Sequence, residues 1–297
     1  PGLVRIMKLM VPAVIGLSAT QINIFINTFF ATSCAEGSVS WLNYAFRILM
    51  FPIGLVGVSL SIAIMPVVSR HSAKGEISKL REAYVSSTVL SFLLSVPATF
   101  GLLFLSQPII RVIFEHGNFY AADTVQTAAV LEFYAIGLFA YSSLKIIVPV
   151  FYSLNKTKYP VIGSFISIVL NVCIIFATLQ TFQHRAIALS TSLCIIVNFI
   201  FLSYMLYRVV DGYDLGYLIQ CLVKIVPLSC LMGIGVQWVN GWCKAGLGDM
   251  PFSNLISLSI AVVFGIVFYG TVISFAGIKE VTPLKNKLMD KVLRNKN

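Results

Sequence analysis

Crossing the roughly 30 Å hydrocarbon core of a bilayer takes about 20 consecutive apolar residues in a helix. This 297-residue chain contains about eight runs of that length. They cover Leu9–Thr32, Trp41–Val68, Tyr84–Leu105, Thr124–Phe151, Pro160–Leu179, Ile187–Tyr207, Leu218–Trp238 and Phe252–Phe275. Only 11% of the residues are charged and 58% are hydrophobic, whereas a soluble domain is about 25% charged. The expected fold is therefore all-α, a polytopic bundle of about eight transmembrane helices. Pro12, Pro52, Pro66, Pro97, Pro149 and Pro227 fall inside these runs; in a bundle, neighbouring helices satisfy the carbonyls they free, so they predict kinks rather than breaks. The apolar stretch Gln107–Phe119 is too short to span and predicts an interfacial helix.

The net charge of +10 is distributed by loop rather than as a nucleic-acid-binding patch. With Pro1 on the cytoplasmic side, the inner segments carry Arg5, Lys8, Arg70, Lys74, Lys79, Arg81, Lys156, Lys158, Arg208 and the six basic residues from Lys279 to Lys296. The outer segments carry only Arg111, Arg185 and Lys244. That asymmetry is the positive-inside pattern, and it places both ends of the chain in the cytoplasm. The opening segment lacks the charged, short apolar and small-residue succession of a signal peptide, so none is expected. After Ile278, Val281, Leu284, Leu288 and Val292 recur at helical spacing among lysines, a pattern that suits either a helix lying on an anionic leaflet or a solvated basic tail.

A charged residue at the centre of a span costs about 2.5–3.5 kcal/mol, so the few present are informative. They are Arg47, Glu132, Lys145 and Lys224. Glu132 and Lys145 lie about 20 Å apart along one helix and cannot pair. Lys224 and Lys145 can snorkel toward the inner headgroups. Arg47 sits among Phe46, Ile48, Leu49, Met50 and Phe51; its guanidinium either binds phosphate bidentately or anchors the helix at the outer interface. Gln21, Asn23, Asn27, Asn171, Thr191 and Asn198 are neutral polar residues within spans. They serve as interhelical hydrogen-bond donors and acceptors, or their oxygens enclose a monovalent cation. The six cysteines form no CxxC pair, and the three histidines are dispersed. No nucleophile–base pairing, paired carboxylates, phosphate loop or metal-ligand spacing is present, so the chain does not read as an enzyme and no resident cofactor is expected.

Several stretches carry a family resemblance. The segment from Pro12 to Asn23 (PAVIGLSATQIN), then Ile26 to Ala31 (INTFFA), Gly37 to Arg47 (GSVSWLNYAFR), Pro52 to Val58 (PIGLVGV), Phe114 to Phe119 (FEHGNF), Phe151-Tyr152-Ser153 and Thr157 to Pro160 together resemble the MurJ/MviN lipid II flippases. The resemblance holds over about the first two hundred residues, and the last two spans follow it by hydropathy. It implies a MATE-like fold of the multidrug/oligosaccharidyl-lipid/polysaccharide (MOP) exporter superfamily, of which this chain corresponds to helices seven to fourteen. Residues 1–207 would form the six-helix C-terminal lobe and residues 208–297 two additional helices and a basic tail; the N-terminal lobe of the protein is the implied partner.

The resemblance further implies that Arg47 lines a cationic cavity for the diphosphate head of lipid II, with Ser40, Asn43 and Lys145 as further substrate-binding residues. It implies a sodium-type cation site at Asn27, Asn171, the Ile187 carbonyl and Thr191. Two departures stand out. Phe46 and Met50 replace positions often acidic in the family, and Ile175 replaces an acidic cation ligand. The expected function is flipping of lipid II across the bacterial inner membrane by alternating access. The rivals are export of another lipid-linked oligosaccharide or a drug, and a transport-dead membrane scaffold.

Overall fold

The computed structural model describes Ser18, residues 20–248 and residues 252–282, and the chain is helical almost throughout them. Residues 20–32 form α1, followed by α2 (Ser38–Pro52), a π-helical segment (Ile53–Val58), α3 (Ser59–Ala73), α4 (Ile77–Phe114), α5 (Ala121–Ala135), α6 (Leu138–Ser153), α7 (Lys158–Phe182), α8 (His184–Val209), α9 (Leu215–Leu247) and α10 (Ser253–Ile273). Among the described residues six helical stretches are long and apolar enough to cross a membrane, and the α5/α6 pair makes a seventh if counted as one bent span. The expected span Leu9–Thr32 is described only from its middle onward. The basic tail beyond Thr282, with Leu284, Leu288 and Val292, lies outside the described residues.

The helices alternate between two ends. The α1–α2, α4–α5, α7–α8 and α9–α10 turns share one end, where the Trp41 indole N–H donates to Asp123 (2.8 Å) and stacks near His184 (5.0 Å between rings). The α3–α4, α6–α7 and α8–α9 turns share the other. There Ser72 donates to the Ser153 carbonyl (2.8 Å), and His71 and Lys79 both contact Glu76 (2.7 and 3.2 Å). Hydrogen bonds from His71 and then Lys79 hold the Glu76 carboxyl below its usual range. Trp238 and Trp242, both over 70% exposed in the last turns of α9, sit where an aromatic belt meets a headgroup layer.

Helix α4 is the pillar, packing against α3, α5, α6, α9 and α10. At 38 residues it is about 57 Å long, well beyond the hydrocarbon thickness. Its final turns absorb Gln107–Phe114, so no separate interfacial helix forms there. Pro108 leaves only one hydrogen bond unmade, and Ile110 is fully buried against the bundle, so continuing the helix keeps this segment packed. The α4 surface that faces inward is rich in small hydroxyl residues. Ser91, Ser95 and Thr99 recur every fourth position and are buried, and the Ser95 and Thr99 hydroxyls donate back to the carbonyls four residues earlier (2.6 and 3.0 Å).

The expected span Thr124–Phe151 is two helices bent by 45° at Ile136–Gly137. The break has an identifiable cause. The Ser192 hydroxyl on α8 donates to the Phe133 carbonyl (2.7 Å) and lies 3.2 Å from the Tyr134 carbonyl, taking up groups the ladder has released. A Cβ on Gly137 would stand 3.0 Å from the Ser192 Cα, so glycine permits that approach. The π-helical segment follows Pro52, and its Gly57 lets the helix close onto Ser142 and the Lys145 stem of α6.

The two parts expected on either side of residue 207 share one core: Leu218, Cys221 and Ile225 of α9 cluster with Tyr84, Val89 and Phe92 of α4 and Leu202 and Leu206 of α8. Helices α4 and α9 approach closely at Gly233, where a Cβ would overlap the Phe104 ring. Gly233→Val should therefore destabilise the bundle by about 1–3 kcal/mol, read as a lowered melting temperature in detergent. Phe104→Ala in the same chain should recover part of the loss; no recovery would show that the close contact is not the cause.

Candidate functional site

A cavity of about 680 Å³ opens between α1, α2 with its π-helical continuation, α6, α7 and α8. Three kinds of residue line it. Apolar side chains such as Leu42, Met50, Ile53 and Val148 form most of its wall; Asn23, Asn27, Asn43, Asn171, Thr191 and Asn198 supply amides and a hydroxyl; and Lys145 supplies a cation. No Asp or Glu is among the lining residues.

The exposed face of α2 carries Ser40, Asn43, Arg47 and Met50 at helical spacing, while Ser38, Leu42, Ala45 and Leu49 on the other face are buried. Of the residues expected to bind substrate, Asn43 and Lys145 line the cavity, and Ser40 and Arg47 lie on its α2 rim rather than in its wall. The Asn43 amide donates to the Val39 carbonyl (2.8 Å), leaving its oxygen open. Arg47 has the Tyr44 ring as its aromatic neighbour, 6.0 Å from guanidinium carbon to centroid. Among the described residues no carboxylate comes within ion-pair distance of Arg47 or Lys145.

Beside Arg47, Phe46 contributes an apolar ring. Its ring packs edge-on against Tyr134 (5.5 Å) and Tyr141 (6.5 Å), joining the two sides of the α5/α6 break across the cavity. A carboxylate at this position would pair with its neighbouring cation or stand unsolvated against two rings. Phenylalanine leaves the guanidinium free. Lys145 is positioned differently: its stem runs over Gly57 of the π-helical segment, where a Cβ would come within 3.2 Å of Lys145 Cγ.

The four residues expected to enclose a cation do meet, and they meet each other. Asn171 Nδ2 donates to Asn27 Oδ1 (2.8 Å) and lies 3.2 Å from Asn23 Oδ1, while Asn27 Nδ2 donates to Thr191 Oγ1 (3.1 Å). Thr191 Oγ1 donates to the Ile187 carbonyl (2.7 Å), and Ser190 Oγ reaches both Asn171 Oδ1 (2.8 Å) and that carbonyl (2.9 Å). Ile175, one turn beyond Asn171, is fully buried in the apolar core. The cluster is thus a neutral network whose oxygens already accept hydrogen bonds and which brings no charge to balance a cation. These residues, paired with one another and uncharged, do not fit a resident monovalent ion.

Ser190, Tyr134 and Tyr141 belong to the site without having stood out in the sequence. Tyr134 and Tyr141 are seven residues apart, a helical repeat hidden by the break between them. Asn198 repeats the Thr191 face seven residues on; its Oδ1 is buried, has no partner among the described residues, and is admitted by the missing Cβ of Gly163.

Comparison with known proteins places this geometry. The family model described as lipid II flippase MurJ matches residues 1–256. A probable lipid II flippase MurJ of Buchnera aphidicola from Acyrthosiphon pisum is 37% identical over 207 residues, covering 70% of this chain and 40% of that protein. The counterpart from Bdellovibrio bacteriovorus is 28% identical over 271 residues, covering 90% and 52%. The chain thus spans about half the length of the curated relatives it matches. Among solved structures, a lipid II flippase MurJ in an inward closed conformation superposes with a TM-score of 0.70 at 26% identity, over 90% of this chain and 54% of that one. A MOP-superfamily transporter from Pyrococcus furiosus, at 17% identity and a TM-score of 0.61 over 93% and 64%, shares the fold.

The amide network yields a test. Asn171→Ala strands the Asn27 and Ser190 groups and should cost about 1–3 kcal/mol, seen as a lower melting temperature of the purified chain. Exchanging sodium for potassium at constant ionic strength should leave the parent's melting temperature unchanged; sodium-specific stabilisation lost in Asn171→Ala would show that the cluster does hold the ion.

Proposed function

We propose that this chain, which belongs to the MurJ family of lipid II flippases, supplies the C-terminal half of a transporter that moves lipid II across the bacterial inner membrane. The observation that carries the proposal is the Arg47 guanidinium, without a carboxylate partner among the described residues, on the exposed face of α2 beside a cavity lined by amides, tyrosines and Lys145 and by no Asp or Glu. Lipid II presents a diphosphate joined to a disaccharide peptide and a polyprenyl chain. A permanently charged planar fork suits the diphosphate, and Asn43 and Asn198 suit sugar hydroxyls.

Under this reading the polyprenyl chain stays in lipid beside α9 and α10, whose outward faces expose Ile219, Val223, Leu231, Ile234, Val263 and Ile266. The α2 face that carries Ser40 and Arg47 would look toward a partner lobe of the same protein, and transport would proceed by rocking of the two lobes around the bound headgroup. No bond is made or broken in the substrate; the residues bind, orient and release it. The basic turns of the α3–α4, α6–α7 and α8–α9 end support placing that end, and both termini, in the cytoplasm. A drug-export reading is disfavoured because a cationic drug calls for acidic groups in the cavity.

In the complete protein, Arg47→Ala should abolish flipping at matched membrane abundance, because the diphosphate loses its bidentate donor. Arg47→Lys should retain only part of the activity, since it keeps charge but not the fork. Full activity of the alanine variant, measured by accessibility of the precursor on the outer face, would remove Arg47 from the substrate site. The orientation has its own check. With single cysteines introduced, an impermeant thiol reagent should label position Trp242 in intact cells and not position Lys156; the reverse pattern would invert the topology.

A further inference from the structure

At the basic end of the bundle, a second cavity of about 380 Å³ lies between the first turns of α9 and the segment that follows α10. Two lysines face it from opposite walls, Lys224 on α9 and Lys279 after α10. The Lys224 ammonium donates to the Ala276 carbonyl (2.9 Å), which occupies one of its three N–H groups. The Lys279 ammonium lies 5.2 Å from the centroid of the Tyr217 ring.

The carboxylates of this region are turned to other work. Glu280 accepts from the Tyr217 hydroxyl at one oxygen (2.6 Å) and from Ser86 of α4 at the other (2.9 Å). Asp214 caps α9 by accepting from the Tyr217 backbone N–H (2.9 Å). Among the described residues neither lysine has a carboxylate within 4.0 Å. The cavity wall thus carries two lysines against a single carboxylate, that of Asp214, with the Gln220 amide beside them.

We propose that this cavity is a binding site for the phosphodiester headgroup of an anionic phospholipid, which on the orientation argued above belongs to the inner leaflet. Its depth fits. Helix α9 is about 50 Å long, so about 10 Å projects at each side of the hydrocarbon, and Lys224 lies about 14 Å from its first residue, close to the headgroup boundary. Its surroundings favour a lipid over free phosphate: Ile219 and Val223, next to the cavity on α9, are more than half exposed and offer acyl chains an apolar track. A basic pocket between helices at the cytoplasmic face is suited to an anionic headgroup. Because Glu280 ties α4, α9 and the post-α10 segment together through Ser86 and Tyr217, an occupied site would brace the last two helices against the pillar.

The test is native mass spectrometry of the purified full chain released from micelles doped with phosphatidylglycerol or phosphatidylcholine. Phosphatidylglycerol should be retained about ten-fold more, and the double variant Lys224→Gln/Lys279→Gln should lose that preference, as removal of two interfacial cations requires. Lys156→Gln/Lys158→Gln, which removes two exposed lysines of the neighbouring turn, should keep it. Equal retention of both lipids, an unaltered preference in the double variant, or an equal loss in the control pair would each overturn the site. Displacement of the lipid by inorganic phosphate at equal concentration would overturn its assignment to a lipid. If the glutamine pair does not fold, Lys224→Arg/Lys279→Arg, which keeps both charges, must still select phosphatidylglycerol or the proposal fails. Retention in micelles does not depend on sidedness, so failure here counts against the cavity, whereas failure of cysteine labelling counts against the orientation.

Discussion

In hydrocarbon a leucine gains nothing by turning from lipid to another helix, so this bundle must be held by close fits and by polar groups that find each other. Helix α4 shows how. Its buried positions include Ser91, Ser95 and Thr99, small enough to let neighbours approach, and Ser95 and Thr99 return their hydroxyls to the helix's own carbonyls. Gly233 brings α9 onto Phe104, and Gly137 brings the α5/α6 break onto Ser192, which caps the carbonyls exposed there. The first contact fixes α9 against the pillar and the second fixes the α5/α6 break against α8, and the cavity walls inherit that geometry.

The same constraint explains the amide cluster. Helix α1 has little buried apolar surface of its own, and the described part exposes Ile22, Ile24, Phe25 and Phe29. Beside the Phe30–Phe176 ring contact (5.2 Å), what joins it to α7 and α8 is the network from Asn23 and Asn27 to Asn171, Ser190 and Thr191. In a low-dielectric surrounding each unsatisfied amide would be costly, so the network is specific in register: shifting α1 by one residue would strand several donors at once.

Element types and most boundaries were legible in the sequence because hydrocarbon imposes a length of about 20 residues on each span. The exceptions share a cause. The break at Ile136–Gly137 depends on Ser192, 55 positions away on α8, and no local pattern announces that partner. The extension of α4 through Pro108 depends on burial of Ile110, again a tertiary fact. At the cavity, the resemblance identified Asn27, Asn171, Ile187 and Thr191 as a group, and they do converge. Their pairing with one another could not be read from one-dimensional spacing, because the orientation of an amide is set by its neighbours. Nor could the placement of Arg47 and Ser40 on the rim rather than in the wall.

The neutrality of that cluster bears on the cations beside it. A carboxylate roughly 10 Å from a cation offsets an anion's attraction by about 1.7 kcal/mol at an effective dielectric of about 20. With Phe46 and Met50 in the wall and no Asp or Glu among its lining residues, no such offset arises within this chain's cavity wall. The field at the mouth is then set by Lys145 and by Arg47 on the rim. Phe46 and Met50 thus leave Lys145 as the one charged side chain among the lining residues, and the neutral amide cluster that shares the wall serves as a structural joint between α1, α7 and α8.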